Sequence, residues 1–484
     1  MAMRRVRLPL LAGACLAAAS PASAETLKEA LAAAYETNPT LEAARAQLRA
    51  TDEGVPIQKA GGLPSLSASA QHTEYVKSSS TSFIAPERAL GAGVDLSIPI
   101  YSGGSVRNGI KAAKTRVLAG RANLRATESS IFSQVVGAYM DVILQEAIVG
   151  LSSNNVDVLD VNLQATSDRF EIGDLTRTDV AQSQARLAQA QSSLRSAKAN
   201  LTNARENYIE LVGSAPDDLQ PPPPLPGLPE SADDAVIVAL DHNPDMIAAR
   251  EQAKAAGYEI EVAGAGRLPT LSFFTSGTYN NYLGTLGSVG GSSADQVSTS
   301  AQAGLRASIP LFQGGRVSAQ QRQAQANASA ALEQVIGTER NVIATVRAAY
   351  SSWQAANSII VSSQSAVDSA QLSLEGVRAE NTVGNRTILD ILNAQQELLS
   401  AQVDLVTARR NAYVAGFTLL AAMGRAEARD LGLQDDIVGP LYDPTANYDR
   451  VRNDIWDWSR DPDPEAQSTR TVDIPAPDGE ISAP

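Results

Sequence analysis

The stretch SIPIYSGGSVR at residues 97–107 recurs as SIPLFQGGRVS at residues 308–318. Both copies contain Ser-Ile-Pro, an aliphatic residue, an aromatic residue, a polar residue and Gly-Gly, in the same order. A motif repeated at a wide spacing indicates an internal repeat, and such a repeat decides the architecture of a chain. The residues around each copy therefore define one structural unit that occurs twice.

The sequence before each copy is also repeated. Asn38-Pro39 corresponds to Asn243-Pro244, and LPSLS at residues 63–67 corresponds to LPTLS at residues 268–272, both at an offset of 205. From the Ser-Ile-Pro motif onward the offset is 211, so six residues are inserted in the second unit. The Gly/Ser-rich stretch GTLGSVGGSS has the composition of a surface loop and is the simplest place for them.

Period-2 alternation precedes each Gly-Gly pair and predicts long strands. The apolar positions are Leu90, Ala92, Val94, Leu96, Ile98 and Ile100 in one unit, and Ala301, Ala303, Leu305, Ala307, Ile309 and Leu311 in the other. Such a pattern is typical of membrane barrel strands, and the edge of a soluble antiparallel sheet remains the alternative. Weaker strands from residues 63 and 268 bring the prediction to four strands in two hairpins.

Long helices follow each Gly-Gly pair. Proline is absent from there to Pro216 in the first unit and to Pro440 in the second. One interruption is shared, FEIGDLTRTD at residues 170–179 and NTVGNRTILD at residues 381–390. A helix over residues 104–171 would be roughly 100 Å long at 1.5 Å per residue. Heptads after each interruption, beginning at Val180 and Ile391, alternate large and small residues and predict antiparallel coiled-coil packing.

The first 24 residues have the features of a signal peptide: three arginines, an apolar stretch and Ala-Ser-Ala at residues 22–24. We expect an exported chain without disulfides, because the only cysteine, Cys15, lies in this segment; N-terminal lipidation at Cys15 remains an alternative. Removal of residues 1–24 leaves 36 basic and 53 acidic residues, a net charge of about −17 that argues against a nucleic-acid partner.

These features predict five segments. They are a signal peptide (1–24), a first repeat (25–215), a Pro-rich linker (216–230), a second repeat (231–428) and a partly disordered C-terminal segment (429–484). Each repeat contains a helix, a β-hairpin and a long helical hairpin, and the Asn of each Asn-Pro pair is expected to cap a helix.

Two other functional classes fit the sequence less well. An enzyme is disfavoured because the two histidines, His72 and His242, are far apart and no phosphate loop, nucleophile elbow or metal-ligand spacing occurs. Neither a cofactor nor a metal is therefore expected. A soluble periplasmic coiled-coil adaptor or scaffold protein would carry one helical hairpin, whereas this chain has two hairpins and membrane-type strands.

Four strands cannot close a barrel, and an open edge in lipid leaves backbone groups unsatisfied. At least two chains must share one barrel, and three would give twelve strands. With the paired Gly-Gly joints, Asn-Pro starts and Gly turns, the chain resembles the TolC-like outer-membrane efflux channels over nearly its whole mature length. The resemblance implies a mainly α-helical homotrimer in which a 12-stranded membrane β-barrel continues into a periplasmic helical tunnel.

The resemblance also implies partners and site residues. The partners would be a periplasmic adaptor, an inner-membrane pump or ABC exporter, and outer-membrane lipid. The gate at the tunnel entrance would use Thr178, Asp179, Arg386, Asp390 and Asn393. The adaptor would dock on Gly173, Asp174, Leu175, Gly384 and Asn385. The joints between barrel and tunnel would be Pro99, Gly103, Gly104, Pro310, Gly314 and Gly315.

Two further assignments concern charged residues. Asp95 and Arg306 occupy matching polar positions and are expected to face the barrel lumen, where simple solvation would also account for them. Asp179 and Asp390 begin helices, so they could serve the helix dipole as well as a gate. Arg386 is expected to pair with Asp179 of a neighbouring hairpin. The transported substrate, the inner-membrane partner and the resting state of the channel do not follow from the sequence.

Overall fold

A computed structural model describes residues 25–77, 85–289, 292–433 and 439–481. The predicted signal peptide with Cys15, the centre of the Gly/Ser-rich insertion, and residues 434–438 and 482–484 of the C-terminal segment lie outside the described residues.

The first repeat begins with three short helices, continues as a β-hairpin and ends as a long helical hairpin. Asn38 caps the second helix as predicted, accepting bonds from the backbone N–H groups of Thr40 and Leu41 with Pro39 in the first turn. The elements are α1 (Leu27–Thr37), α2 (Pro39–Asp52), α3 (Gly54–Ala60), β1 (Ser65–Glu74), β2 (Arg88–Ser102), α4 (Ser105–Glu171) and α5 (Arg177–Val212).

The second repeat has the same order of elements. Asn243 caps its helix through Asp245 and Met246, again with a proline in the first turn. The elements are α6 (Ala232–His242), α7 (Pro244–Gly264), β3 (Thr270–Asn281), β4 (Ser288–Val289), β5 (Ser292–Ser293), β6 (Val297–Ser308), α8 (Arg316–Thr382) and α9 (Ile388–Ala422). A short helix, α10 (Ala446–Val451), follows both repeats.

The two β-hairpins pair side by side in one antiparallel sheet of order β1-β2-β3-β6. Ser65 pairs with Ser97 in the first hairpin, and the equivalent residues Thr270 and Ser308 pair in the second. The identical register requires the six extra residues to lie between β3 and β6. The small β4–β5 pair occupies that connection, in agreement with the predicted position of the insertion.

One strand is shorter than the alternation predicts. The pattern of apolar residues continues to Leu311, but β6 ends at Ser308, whereas β2 continues through Pro99 to Ser102. The end of β2 pairs with β3 across an irregularity between Pro99 and Tyr101. β6 is an edge strand, and no second strand of the described residues pairs with it beyond Ser308 as β3 pairs with the end of β2. The strand conformation therefore ends at Ser308.

The helices pack along their lengths as the heptads predict, α4 against α5 and α7, and α8 against α7 and α9. Tyr139 and Tyr208 are fully buried between α4 and α5. The Tyr139 hydroxyl group donates to the backbone oxygens of Glu25 and Gln220, which attaches the linker to this core. One window of α4 is long and apolar enough to span a membrane, but this helix packs against α5 and α7.

Two groups of hydrogen bonds connect the C-terminal segment to the first repeat. Asn447 donates to Asp52 at 2.9 Å, which places α10 beside α2. The chain then reaches α5, where Arg205 donates to the backbone oxygens of Asp478 and Glu480, both at 2.9 Å. These contacts attach the segment at Asn447, Asp478 and Glu480, and the partial disorder of the segment stays a prediction.

Candidate functional site

Both helical hairpins end in the same backbone motif. Gly173 has φ +83° and the equivalent Gly384 has φ +82°, in the left-handed region that favours glycine. The N–H group of the next residue bonds the carbonyl of Arg169 in one end and of Glu380 in the other, each at a distance of 2.9–3.0 Å. This six-residue helix-termination motif requires glycine, so both predicted turn glycines have a structural role.

The predicted gate aspartates each close a helix cap. Thr176 and Asp179 form a capping box at the start of α5, and the equivalent Thr387 and Asp390 form one at the start of α9. These hydrogen bonds lower the pKa of both carboxyl groups below the ordinary value, so both aspartates stay charged at neutral pH. Both aspartates therefore act as helix caps in the structure, and each carboxylate also contributes a negative charge at the hairpin end.

An ion pair spans each hairpin end. Arg169 Nη2 lies 2.7 Å from Asp174 in the first hairpin, and Arg386 Nε lies 2.7 Å from Glu380 in the second. The bond to Glu380 raises the pKa of Arg386. Within the chain, Arg386 thus pairs with its own hairpin rather than with Asp179. The sequence did not suggest Glu380, because a salt bridge across a turn has no periodic signature.

The two hairpins of one chain meet near their ends through α5 and α9. Arg186 Nη2 donates a hydrogen bond of 2.9 Å to Asn393 Oδ1. Beside this bond, Leu392 is buried against Leu187 and Leu159. Asn393 was predicted as a gate residue, whereas Arg186 was missed. A heptad predicts the buried stripe of α5, but it does not predict which exposed side chain contacts another helix.

The other predicted end residues are at the surface. Thr178 and Asn385 are exposed, and Leu175 is half-buried. Large apolar side chains flank both turn glycines at equivalent positions, Ile172 with 81% and Val383 with 70% of the side chain exposed. These two residues were not singled out from the sequence, although their equivalence is visible at the offset of 211. Each hairpin end thus presents an apolar side chain beside a glycine.

The sheet has one polar and one apolar face across all four strands. Asp95 pairs with Ser67 and Ser276, and Ser276 pairs with Gln302, so these four residues share one face. Arg306 lies on the same face, with its guanidinium group 4.7 Å from the ring centre of Phe274. The opposite face exposes large apolar side chains: Leu66, Leu90, Val94, Tyr279, Val297 and Leu305.

The predicted joints differ in what surrounds them. Gly103 has φ +65°, and a Cβ atom there would lie 2.7 Å from the carbonyl oxygen of Ala265. The equivalent Gly314 has φ +59°, but a Cβ there would meet nothing within 4 Å. Gly104 and Gly315 have positive φ values, +85° and +80°, and each immediately precedes a long helix. Pro99 lies in the irregular end of β2, and Pro310 follows the end of β6.

Within the described ranges, no cluster of His, Cys, Asp or Glu could hold a metal ion. The chain thus combines a β-sheet that has one exposed apolar face with long helices. The ends of the helical hairpins, far from the sheet, carry charged side chains.

Comparison with known proteins agrees with this architecture. The outer membrane efflux protein family matches residues 30–214 and 236–425. The chain is 35% identical to the outer membrane efflux protein BepC of Brucella suis, over 94% of this chain and 96% of BepC. It is 28% identical to the outer membrane protein TolC of Escherichia coli, over 88% of this chain and 87% of TolC.

The fold is shared with an outer membrane protein of known structure. The structure of the outer membrane protein VceC of Vibrio cholerae matches with a TM-score of 0.70 at 23% identity, covering 82% of this chain and 96% of VceC. The predicted fold class is thereby confirmed, and the alternative of a soluble adaptor is not supported. The chain belongs to the outer membrane efflux protein family, and it is an exit channel of an efflux or secretion system, located in the outer membrane with a periplasmic tunnel.

Proposed function

We propose that three copies of the chain form one passive conduit. In this assembly the four-stranded sheets close a 12-stranded barrel in the outer membrane, and the helical hairpins form a tunnel whose entrance lies at the hairpin ends. A periplasmic adaptor docks there and connects the channel to an inner-membrane pump or ABC exporter. The conduit itself performs no chemistry and needs no cofactor.

The observation that carries the proposal is a sheet with two open edges and two unlike faces. β1 and β6 are the edge strands of the described sheet. In lipid, an open edge would leave several backbone groups unsatisfied, each costing several kcal/mol, so a second sheet has to pair with it. The apolar face then contacts lipid, while the face with Asp95 and Arg306 lines an aqueous lumen.

The contact between the two repeats supplies a template for the contact between chains. Within the chain, Leu96 of β2 pairs with Thr275 of β3. The equivalent positions are Ala307 of β6 and Ala70 of β1, which would pair across the seam between two copies. The same equivalence places Gly314 against the Ala60 carbonyl of the next copy, which explains a left-handed glycine that meets nothing within its own chain.

The hairpin ends have the charge expected of a selective entrance. Asp390 is ionised, and three copies of it near a threefold axis would concentrate cations. Arg386 adds the opposite charge, but its pairing with Glu380 offsets it. We expect a cation preference, which reversal potentials in a planar bilayer under a salt gradient would detect. Anion preference would contradict the placement of these charges at the entrance.

The exposed apolar side chains beside the turn glycines support adaptor docking. Ile172 and Val383 project from the ends, and Gly173 and Gly384 leave space for a partner backbone, since a Cβ at either glycine would meet nothing within 4 Å. Two equivalent ends per chain would provide six similar docking positions in a trimer. Asp174, Leu175 and Asn385 would flank them.

A pair of substitutions tests the docking role. Ile172→Asp with Val383→Asp leaves both turn glycines and both capping boxes unchanged, so the hairpin ends should keep their structure. Survival of bacteria in a toxic detergent, with this channel as the only one present, should fall to the level of a channel deletion. Unboiled gels should still show three chains. Gln184→Asp, at an exposed site in the second turn of α5, is the control, and bacteria that carry it should survive. Normal survival of the double variant would contradict the docking assignment.

A further inference from the structure

An exposed aromatic cluster follows α10 in the C-terminal segment. Ile455, Trp456 and Trp458 have 74%, 70% and 84% of their side chains exposed. Three large apolar side chains within four residues, so exposed, are uncommon on a surface that faces water. We call residues 454–459 the tryptophan segment.

Contacts on both sides fix the position of the tryptophan segment. Before it, Lys59 of α3 donates to the backbone oxygen of Arg452 and, at 3.3 Å, to the side chain of Asn453. After it, Asp461 accepts two bonds from the Arg450 guanidinium group, at 2.8 and 2.9 Å. The segment is therefore a loop closed on itself and attached to the end of α3, where the chain enters β1.

The tryptophan segment lies beside the start of the membrane sheet. Ile455 and Trp456 line a cleft together with Leu63, Pro64 and Leu66. Leu66 is on the apolar face of β1, since it pairs with Leu96. It is 71% exposed, and the apolar face that continues from it is the surface that contacts lipid in an outer-membrane channel. The segment is thus continuous with the lipid-facing surface at its periplasmic edge.

We propose that the tryptophan segment binds the periplasmic leaflet of the outer membrane, with Ile455, Trp456 and Trp458 inserted among the lipid headgroups. Tryptophan suits this depth because its ring is apolar while its N–H group finds polar partners at the interface. The loop would act as an anchor outside the barrel, beside the point where the strands end and the helices begin.

The charges around the segment favour a lipid interface over a charged protein partner. The arginines that flank the segment are already paired, Arg450 with Asp461, Arg452 with Asp449 and Arg460 with Asp463. Asp454, whose pKa is lowered by the backbone N–H group of Trp456, stays ionised, and a charged carboxylate suits the headgroup region rather than the acyl chains. Because the flanking cations are already paired and the segment's own charges are the carboxylates of Asp454 and Asp457, apolar burial is the contact that its exposed side chains offer to lipid.

Tryptophan fluorescence tests the proposal, because the chain contains only three tryptophans. The third, Trp353, packs against Tyr350 with ring centres 5.9 Å apart, roughly 55 Å along α8 from its start. The native protein and the Trp456→Phe/Trp458→Phe variant are reconstituted in phosphatidylcholine vesicles. The lipids carry bromine on the acyl chain near the glycerol, and acrylamide serves as the quencher in water.

Bromolipid should quench a large part of the emission of the native protein and almost none of that of the double variant, which retains Trp353. Quenching of the native protein by acrylamide alone would place the segment in water and overturn the proposal. Quenching of these tryptophans by neither agent would show that protein, such as a second copy of the chain, covers them, and would also overturn it. Because both substituted side chains are exposed, the double variant should fold, and an unchanged trimer on an unboiled gel would verify this.

Discussion

Arg186 and Asn393 are 207 positions apart in the sequence, and the Arg186 guanidinium group donates a hydrogen bond of 2.9 Å to the Asn393 amide oxygen. The bond joins α5 of the first hairpin to α9 of the second, beside the buried Leu392. Any opening of the entrance that separates the two hairpins of one chain has to break it. We propose that the bond acts as a latch within the chain.

Removal of this latch should favour the open entrance. For Arg186→Ala we expect single-channel conductance to rise up to about fivefold, because a partly exposed polar pair is worth about 0.2–1 kcal/mol. Planar-bilayer recording measures this. Arg195→Ala, an exposed arginine further along α5, removes the same charge and should leave conductance unchanged. Equal conductance of the native and Arg186→Ala channels would rule the latch out.

The ion pair between Arg386 and Glu380 predicts opposite effects for its two members. Arg386→Ala should raise conductance, since it removes a cation available to hold neighbouring hairpins together. Glu380→Gln should lower conductance, because the released guanidinium group can then pair with a neighbour such as Asp179. Recordings of both variants under one salt condition compare them. A change in the same direction would show that Arg386 does not connect hairpins.

The local features of the fold could be predicted from the sequence because short-range physics produces them. The Asn38 and Asn243 caps, the glycines at 173 and 384 and the alternation around Val94 each depend on neighbours in the chain. The repeat adds long-range information, because two units with the same sequence pattern are expected to form equivalent hairpins with the same strand register. These features predicted the four strands of the large sheet, the long hairpins and the place of the insertion, but not the small β4–β5 pair.

Contacts between elements were not predictable in the same way. Nothing near Arg186 in the sequence indicates Asn393 as its partner, and Glu380 had no expected partner. β6 ends at Ser308 because no neighbouring strand in the described part of the chain pairs with it further on, although the apolar alternation of its sequence continues. The C-terminal segment lacks an apolar period, so hydrogen bonds such as those of Arg205 to Asp478 and Glu480 left no pattern to read.

The capping box at the start of α9 should stabilise the second hairpin end. Thr387→Ala removes a side chain that both accepts from Asp390 N–H at 3.3 Å and donates to its carboxylate at 2.8 Å. We expect a local loss of about 1 kcal/mol, seen as faster hydrogen exchange of the first amides of α9. Thr387→Ser keeps the hydroxyl group and should exchange like the native protein. Unchanged exchange in the alanine variant would contradict the capping role.

Glu128 should make stability depend on pH. Burial raises its pKa to about 7, and Glu427 adds to the effect, while the Ala428 N–H group, Arg45 and Arg429 oppose it. The folded state thus holds a proton that the unfolded state releases near pH 4.5. This contribution is complete below that pH and is lost as pH rises through 7. We expect the free energy of unfolding to fall by about 1–3 kcal/mol from pH 5 to 8.

Glu128→Gln should remove this part of the pH dependence, because its amide oxygen can still accept from Ala428 without ionising. Denaturant unfolding in detergent at several pH values measures it. Glu210→Gln, at an exposed site on α5, should retain the native slope. A slope in the Glu128→Gln variant equal to that of the native protein would mean that the carboxyl group does not titrate in this range.

The closure of a barrel by several copies is tested most directly by a disulfide across the proposed seam. Ala70→Cys and Ala307→Cys are introduced together into the chain, whose only natural cysteine is Cys15. Ala70→Cys with Ala301→Cys is the control, because Ala301 lies on the same face, about 20 Å along the strand from Ala307. Oxidised membranes should give a covalent trimer on a boiled, non-reducing gel for the first pair and monomers for the control. Monomers for both pairs, or a trimer for the control as well, would contradict the shared barrel and its register.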